Sequence, residues 1–297
     1  MPIKAGYVSI VGIPNVGKST LINAIIGSKL SIVTPKPQTT RKSVLGIYTS
    51  ENSQIIFTDT PGYVKPRYEL HKSMVNSIIE SIKGSDIVLV LSDINCKEDP
   101  DNYFSADFLD SIKKSGKILI LAINKIDLLD DKKKILPIIG FFGNYKIFSE
   151  IIPISALKQI SITELIKTIE NNLPDSPYLF EPDYISTQSE RFFVSEIIRE
   201  QIFLSYGEEI PYSAEVLISE FKERERGKWY ISADIVVDKE SHKKIMIGSK
   251  GTKIKNLGES SRALIENFLN KPVYLKIFVK VRPNWRQNKT MLQSFGY

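Results

Sequence analysis

The sequence predicts an α/β fold, a mostly parallel sheet with helices on both faces, followed by a smaller α+β domain. Three observations carry that expectation. Ile- and Val-rich runs alternate with segments of helical length over about the first 170 residues. A stretch holding Pro174, Pro177 and Pro182, with no sustained period, then interrupts the alternation. Beyond it, period-two strands and helical faces follow in a different order. The 297 residues suffice for two hydrophobic cores at roughly 150 residues each. The expected division is a first domain over 1–172, a linker over 173–190 and a second domain with its tail over 191–297.

The strand runs are Tyr7 to Val11, Ser43 to Tyr48, Gln54 to Thr58, Ile87 to Leu91, Ile118 to Ile123 and Ile151 to Ile154. Unbroken apolar stretches bounded by Gly, Asp, Asn or Pro suit strands covered on both faces. Between them, Lys18 to Ile26, His71 to Lys83, Ser105 to Lys114 and Ile162 to Asn171 have helical length. In the second domain, Phe192 to Tyr206 reads as a helix. Ser213 to Phe221 and Trp229 to Val237 read as strands joined around Gly227. Ile254, Leu257, Leu264, Ile265 and Phe268 share one helical face, and Val273 to Val281 alternates as a last strand.

Composition narrows the function classes. Hydrophobic residues at 42% and charged residues at 25% exclude wholesale disorder. Cys96 is the single cysteine, so no internal disulfide framework exists and a reducing compartment is expected. No apolar run approaches the roughly 20 residues of a bilayer span. Met1 leads almost directly into a strand without a signal region, which reads as a cytosolic-type protein. The net charge is +6, but residues 239–289 hold thirteen Lys and Arg against Glu240, Glu259 and Glu266, a local net of +10. Such a concentration suits a polyanionic partner. His71 and His242 are the only histidines, and no metal-ligand cluster appears in the second domain.

Gly12-Ile13-Pro14-Asn15-Val16-Gly17-Lys18-Ser19 follows a strand and opens a helix, the context of a phosphate loop. Its glycines let backbone N–H groups face phosphate oxygens at a helix N-terminus. Lys18 would reach the β and γ phosphates, and the Ser19 hydroxyl would ligate Mg²⁺. Asn124-Lys125-Ile126-Asp127 ends another strand. Its carboxylate can accept from guanine N1–H and the 2-amino group, a pair that adenine lacks. Ser155-Ala156 gains meaning from its position, where backbone would meet guanine O6. Asp59-Thr60-Pro61-Gly62 offers a carboxylate for Mg²⁺ through water and an N–H for the γ-phosphate, with Tyr63 next. In the polar loop 36–42, Thr40 is the favoured second Mg²⁺ ligand, and Thr39 remains the alternative.

In the second domain, Ile245, Ile247, Gly248, Ser249, Lys250, Gly251 and Lys253 frame a Gly-x-x-Gly loop between two short helices. Glycines there would let single-stranded nucleic acid approach over an apolar floor beside lysines. The order helix–strand–strand–helix–helix–strand is that of a type II KH domain. Trp285 and Arg286 could stack on a base, or Trp285 could cap the core.

With these motifs in place, the chain closely resembles the bacterial Era family among translation-factor-class GTPases. The resemblance runs through Ser155-Ala156-Leu157-Lys158, Glu190-Arg191-Phe192, Glu196 to Glu200 and Glu209 to Tyr212, and so covers essentially the whole chain. Gln188 departs from the acidic residue expected in the linker. The resemblance implies a P-loop GTPase domain that cycles between GTP and GDP. It also implies a KH domain bound near the 3′ end of 16S rRNA, and a role in maturing the 30S subunit; the chain itself is expected to be a cytoplasmic monomer. A peripheral association with the inner membrane is implied as well. Tyr63 stands where Ras-type enzymes carry a water-orienting glutamine, so intrinsic hydrolysis is expected to be slow. Catalysis would rest on Lys18, Thr40, Gly62 and Mg²⁺. In related GTPases an asparagine at the place of Asn15 helps bind K⁺; the alternative for Asn15 is to stabilise its own loop. The rival readings are a GTP switch whose second domain docks proteins, and a P-loop ATPase or kinase.

Overall fold

The computed structural model describes residues 2–97, 106–207 and 209–297. One sheet holds six strands, β1 (Lys4–Val11), β2 (Val44–Thr49), β3 (Ser53–Asp59), β4 (Ile87–Asp93), β5 (Ile118–Asn124) and β6 (Glu150–Pro153). Their order is β2-β3-β1-β4-β5-β6, and every neighbouring pair is parallel except the β2–β3 hairpin. Along β4, Ile87, Leu89 and Leu91 enter the core on one face while Val88 and Val90 enter the core on the other. Burial on both faces is why this strand shows no polar alternation.

Helices α1 (Lys18–Ile26) and α5 (Ile162–Asn172) close the first face through Leu21, Ile22, Leu165 and Ile169. Helices α2 (Glu69–Gly84), α3 (Ala106–Lys114) and α4 (Leu136–Gly143) close the second through Ile78, Phe108, Ile112, Ile138 and Phe142. Ser105, where the third helix was expected to begin, lies outside the described residues. Helix α4 was not legible in the sequence, because LPIIGFFG is apolar almost throughout and carries no period. Strand β1 lies between β3 and β4, so the winding reverses at its carboxyl end. Ligands of open α/β sheets bind at that kind of switch point.

The Pro-bearing stretch is no free tether. Ala5 N donates to Pro174 O and Ser176 N donates to Ile3 O. The buried Gln54 side chain accepts from the Leu179 and Phe180 N–H groups at 2.8 and 2.9 Å and donates back to Phe180 O. Ile47 N donates to Ile185 O. Lacking a period, the stretch still satisfies its backbone by lying along sheet residues.

By their contacts the residues form two compact units. One takes residues up to 31, 40–65 and 73–187; the other takes 32–39, 66–72 and 188–297. The two short segments from the first half of the chain that group with the second unit were not foreseen in the sequence.

The second unit contains α6 (Glu190–Ser205), a single turn α7 (Ile210–Ser213), β7 (Glu215–Lys222), β8 (Trp229–Val237), α8 (Glu240–Ile247), α9 (Thr252–Leu269), β9 (Val273–Val281) and α10 (Lys289–Ser294). Its sheet runs β7-β8-β9, with β7–β8 antiparallel and β8–β9 parallel. Apart from the short α7 turn and α10, this is the expected order. Val194, Ile198 and Ile202 of α6 and Leu257 and Ile265 of α9 pack with Ile231, Ala233 and Ile235 of β8. Helix α9, at 18 residues, is longer than the short helix expected after the glycine loop. Trp285 is fully buried and donates from Nε1 to Ser213 O at 3.0 Å, so it caps this core and presents no face for stacking. Within the same unit, Arg199 donates to Thr39 O, and Lys36 Nζ donates to the Phe203 and Tyr206 carbonyls ending α6.

Candidate nucleotide site and nucleic-acid interface

The loop Gly12–Gly17 leaves the carboxyl end of β1 and feeds α1. Gly17 sits at φ 99°, and a Cβ there would fall 2.3 Å from Asn124 Nδ2, so both conformation and close approach require glycine. Asn15 adopts the left-handed conformation at φ 66°, which asparagine tolerates better than most residues. Lys18 is buried and donates from Nζ to the carbonyls of Gly12 (3.1 Å) and Ile13 (2.9 Å). Burial lowers its pKa to about 8, with the Asp59 carboxylate pulling the other way.

Asp59, at the end of β3, is fully buried. Burial raises its pKa, and Lys18 and the Ser19 hydroxyl hold the rise back. Ser19 Oγ donates to Asp59 Oδ2 at 2.7 Å and lies 2.8 Å from Thr40 Oγ1, while Asp59 Oδ1 has no hydrogen-bond partner. A buried carboxylate with an unused oxygen beside two converging hydroxyls is the hard-oxygen set that fits Mg²⁺. Thr39, by contrast, spends its hydroxyl on Thr34 Oγ1 and Lys36 O within its own segment.

Thr60 Oγ1 donates to Ile10 O, and Pro61 is buried beside it. Gly62 lies against Pro14 so closely that a Cβ would fall 2.9 Å from that backbone. The Tyr63 N–H donates to Gly12 O, and the Tyr63 ring packs on Phe108 with centroids 4.4 Å apart.

At the ends of β5 and β6, three loops are tied by one side chain. Asn124 donates to Val16 O at 2.8 Å and accepts from Ala156 N at 2.9 Å, joining the phosphate loop to the Ser155-Ala156 turn. Ser155 Oγ donates to Asp127 Oδ1 at 2.6 Å and so orients that carboxylate. Lys125 Nζ forms an ion pair with Asp93 Oδ2 at 2.6 Å, and Asp93 Oδ1 accepts from Asn95 N. Sequence reasoning missed Asp93. Its position opposite Asn124 exists only once the parallel strands pair, so the sequence carried no local signal for it.

In the second unit, Gly248 ends α8 at φ 73°, and a Cβ there would meet Lys253 Cβ at 2.9 Å. Lys250 and Gly251 are also left-handed, at φ 48° and 76°. Met246 points into the core, whereas Ile245, Ser249, Lys250 and Lys253 are exposed and Ile247 is half-buried. Beside the loop runs a groove of about 420 Å³ lined by Lys228, Ile254, Lys255, Arg262, Tyr274 and Ile277. Lys228 and Tyr274 were not singled out in the sequence, since each lies on a different element from the glycine loop.

The family described as 50S ribosome-binding GTPase matches residues 7–125, and the KH domain family matches residues 209–286. The chain is 43% identical to GTPase Era of Syntrophus aciditrophicus, over 99% of this chain and 95% of that relative. It is 42% identical to GTPase Era of Clostridioides difficile, over 99% and 98%. The chain belongs to the Era family.

Two solved Era structures, each 40% identical and covering 99% of both chains, superpose with TM-scores of 0.94. One is the Y63A variant of Aquifex aeolicus Era bound to GDP·AlF4⁻; the other is Era with MgGDPNP and nucleotides 1506–1542 of 16S ribosomal RNA. Like its relatives, this Era-family chain is a GTPase that hydrolyses GTP to GDP and phosphate, which sets aside the ATPase reading.

The state of Lys18 makes nucleotide binding sensitive to pH. Its pKa of about 8 in the free protein must rise when polyphosphate pairs with the ammonium. Binding therefore takes up a proton at pH above about 8, and GTP affinity falls as the pH climbs from about 7 to 9. Calorimetry in buffers of differing ionisation heat checks this. Proton uptake at a pH of about 8.5 is expected for the wild type and not for Lys18→Arg. Equal uptake in both proteins would put the titrating group elsewhere.

Proposed function

We propose that this Era-family GTPase is a nucleotide-regulated RNA-binding factor that acts on the 3′ region of 16S rRNA during assembly of the small ribosomal subunit. The observation that carries it is the pairing, in one chain, of a crevice built from all the guanine-nucleotide motifs with a glycine loop beside a basic groove. The Era relative bound to MgGDPNP and 16S rRNA nucleotides supports it. A GTP-binding part over 1–172 and an RNA-binding part over 191–297, joined through 173–190, are the functional divisions. The chain acts as a monomer in the cytoplasm, with a peripheral association at the inner membrane. No helix among the described residues is long and apolar enough to cross a membrane.

In the proposed site, backbone N–H groups of residues 12–19 cradle the phosphates and Lys18 neutralises β and γ oxygens. Ser19 and Thr40 would hold Mg²⁺ directly and Asp59 through water, and the ion would supply charge neutralisation to the phosphates. The Gly62 N–H meets the γ-phosphate, linking the loop of Thr60, Pro61 and Tyr63 to nucleotide state. Asp127 reads guanine N1–H and the 2-amino group, and Ala156 N–H the O6. Ile126 and Lys125 line the base, and Asn124 acts as the tie that holds these loops in register. Tyr63, whose ring packs on Phe108, cannot present the paired amide donor and acceptor by which a glutamine orients water, so intrinsic hydrolysis is slow. Asn15 would contribute to a K⁺ site, whose ion would supply positive charge during hydrolysis. Faster hydrolysis in K⁺ than in Na⁺ buffer is expected, with the difference lost in Asn15→Ala; equal rates in the two salts remove the K⁺ role.

Regulation is supported by the path of the chain. Residues 32–39 group with the second unit, held by Arg199 and Lys36, and the next residue, Thr40, sits beside Ser19. Ordering Thr40 on a nucleotide therefore acts directly on a segment that the second unit clasps. RNA crosslinking and affinity measured with GTP analogue, with GDP and without nucleotide test the proposal. Preferential recovery of the 16S 3′ region with GTP analogue is expected. Identical affinity in all three states would remove the regulation, and recovery of proteins in place of RNA would favour a docking role.

A further inference from the structure

The three-stranded sheet of the second unit has one face under α6 and α9. On its other face the register places Lys222, Tyr230 and Tyr274 in one row across β7, β8 and β9. The Tyr230 and Tyr274 rings stack, with centroids 5.8 Å apart and planes 14° from parallel, and Lys222 Nζ lies 5.6 Å from the Tyr230 centroid. One end of the row is thus capped by an ammonium. The other end is Tyr274, on the edge strand and 56% exposed. Four residues along β9, roughly 13 Å at a strand's rise, Phe278 is 43% exposed, with Lys276 Nζ 4.8 Å from its centroid.

Charge selects the partner. From Lys271 to the end of the chain there are six Lys and Arg and no Asp or Glu. Lys280 pairs with Asp234 and Arg286 with Asp238, but an apolar protein segment would have to desolvate the other four without compensation, whereas a polyanion releases counterions on meeting them. Exposed rings set among ammonium groups are the means by which sheets hold unpaired bases, the ring supplying a sequence-tolerant stacking surface and the cations tracking the backbone. Tyr274 also borders the groove beside the glycine loop, so a strand leaving that groove over the sheet edge meets it first.

We propose that the open face of this sheet is a second contact for single-stranded RNA. One base extends the Tyr230–Tyr274 stack and another lies on Phe278, with Lys276 on the phosphates. The inference rests on the RNA-binding reading of the glycine loop and extends it from the groove to the sheet.

The test uses the full chain and two unstructured RNAs from the 16S 3′ end. One has about four nucleotides, the length a glycine-loop groove clamps, and the other about ten. Phe278→Ala combined with Lys276→Ala, two residues outside the groove lining, is expected to weaken the longer RNA roughly tenfold or more while leaving the shorter one unchanged. Phe278→Tyr combined with Lys276→Arg is expected to bind both RNAs as the wild type does, and GTP hydrolysis without RNA stays at the wild-type rate. A 2-aminopurine placed outside the clamped segment should be quenched by wild type and Tyr274→Phe but not by Tyr274→Ala. Unchanged affinity of the double variant for the longer RNA overturns the proposal, as does equal weakening of both lengths. A change in oligomeric state without a change in RNA binding also overturns it. Wild-type binding of both RNAs by a Gly248→Asp, Gly251→Asp protein would instead reject the underlying RNA reading.

Discussion

Asp127→Asn is expected to lower GTP affinity by roughly a thousandfold or more and to admit xanthosine triphosphate in its place. The size follows from buried polar groups left unpaired, which sites built to hydrogen-bond a ligand penalise far more than a missing methylene. The direction follows from Ser155. Its hydroxyl donates to Asp127 Oδ1, so in the variant the amide oxygen takes that place and the NH₂ group turns to the ligand. A donor then faces one of guanine's two donors, the clash falling on the 2-amino group, where xanthine offers a 2-oxo acceptor instead. Competition of a fluorescent nucleotide by GTP and by xanthosine triphosphate measures both affinities. GTP affinity within about threefold of wild type, or no gain for the xanthine nucleotide, would place guanine recognition on another residue.

Gly248→Asp with Gly251→Asp is expected to reduce RNA affinity about a hundredfold or more while leaving intrinsic GTP hydrolysis unchanged. Three effects act together. At Gly248, with φ 73° and ψ 179°, an aspartate would occupy a region essentially reserved for glycine at a cost of about 1–3 kcal/mol, whereas Gly251 is left-handed, a conformation aspartate tolerates. At Gly248 the new Cβ would also crowd Lys253, one of the exposed lysines of the loop. The carboxylates then meet the phosphates that the loop is shaped to approach. The variant retains its hydrophobic core, because neither glycine contributes to it. Filter binding at several salt concentrations reads affinity together with the number of phosphate contacts, and a hydrolysis assay without RNA serves as control. Wild-type RNA affinity in this variant would shift the second domain toward protein docking.

Much of this site could be read before the fold was known, because its chemistry is carried by short contiguous motifs. A phosphate loop needs its glycines, lysine and serine in one unbroken run, since consecutive N–H groups must face the same anion. The strand runs were legible for a related reason: burial on both faces leaves an unmistakable apolar stretch, as at Ile87 to Leu91. The 289–294 helix and the 210–213 turn were not, being too short for a period to emerge.

Long-range pairing was invisible in the same residues. Asn124 could be placed at the end of a strand from its motif, but its use as a tie between Val16 and Ala156 depends on loops that meet only across the sheet. The different settings of Thr40 and Thr39 are visible only where one hydroxyl meets Ser19 and the other turns back to Thr34. Nothing local marks Trp285 as a core cap, Asp93 as the partner of Lys125, or the proline stretch as backbone satisfied by Gln54 and its neighbours. The α/β and α+β classes, the guanine-nucleotide chemistry and the basic character of the second domain are written in residue type and spacing along the chain. Which atoms those residues spend on one another was decided by the tertiary structure. Periodicity records that a side chain is buried, whereas its partner is set by where the folded chain brings distant donors and acceptors within hydrogen-bonding reach.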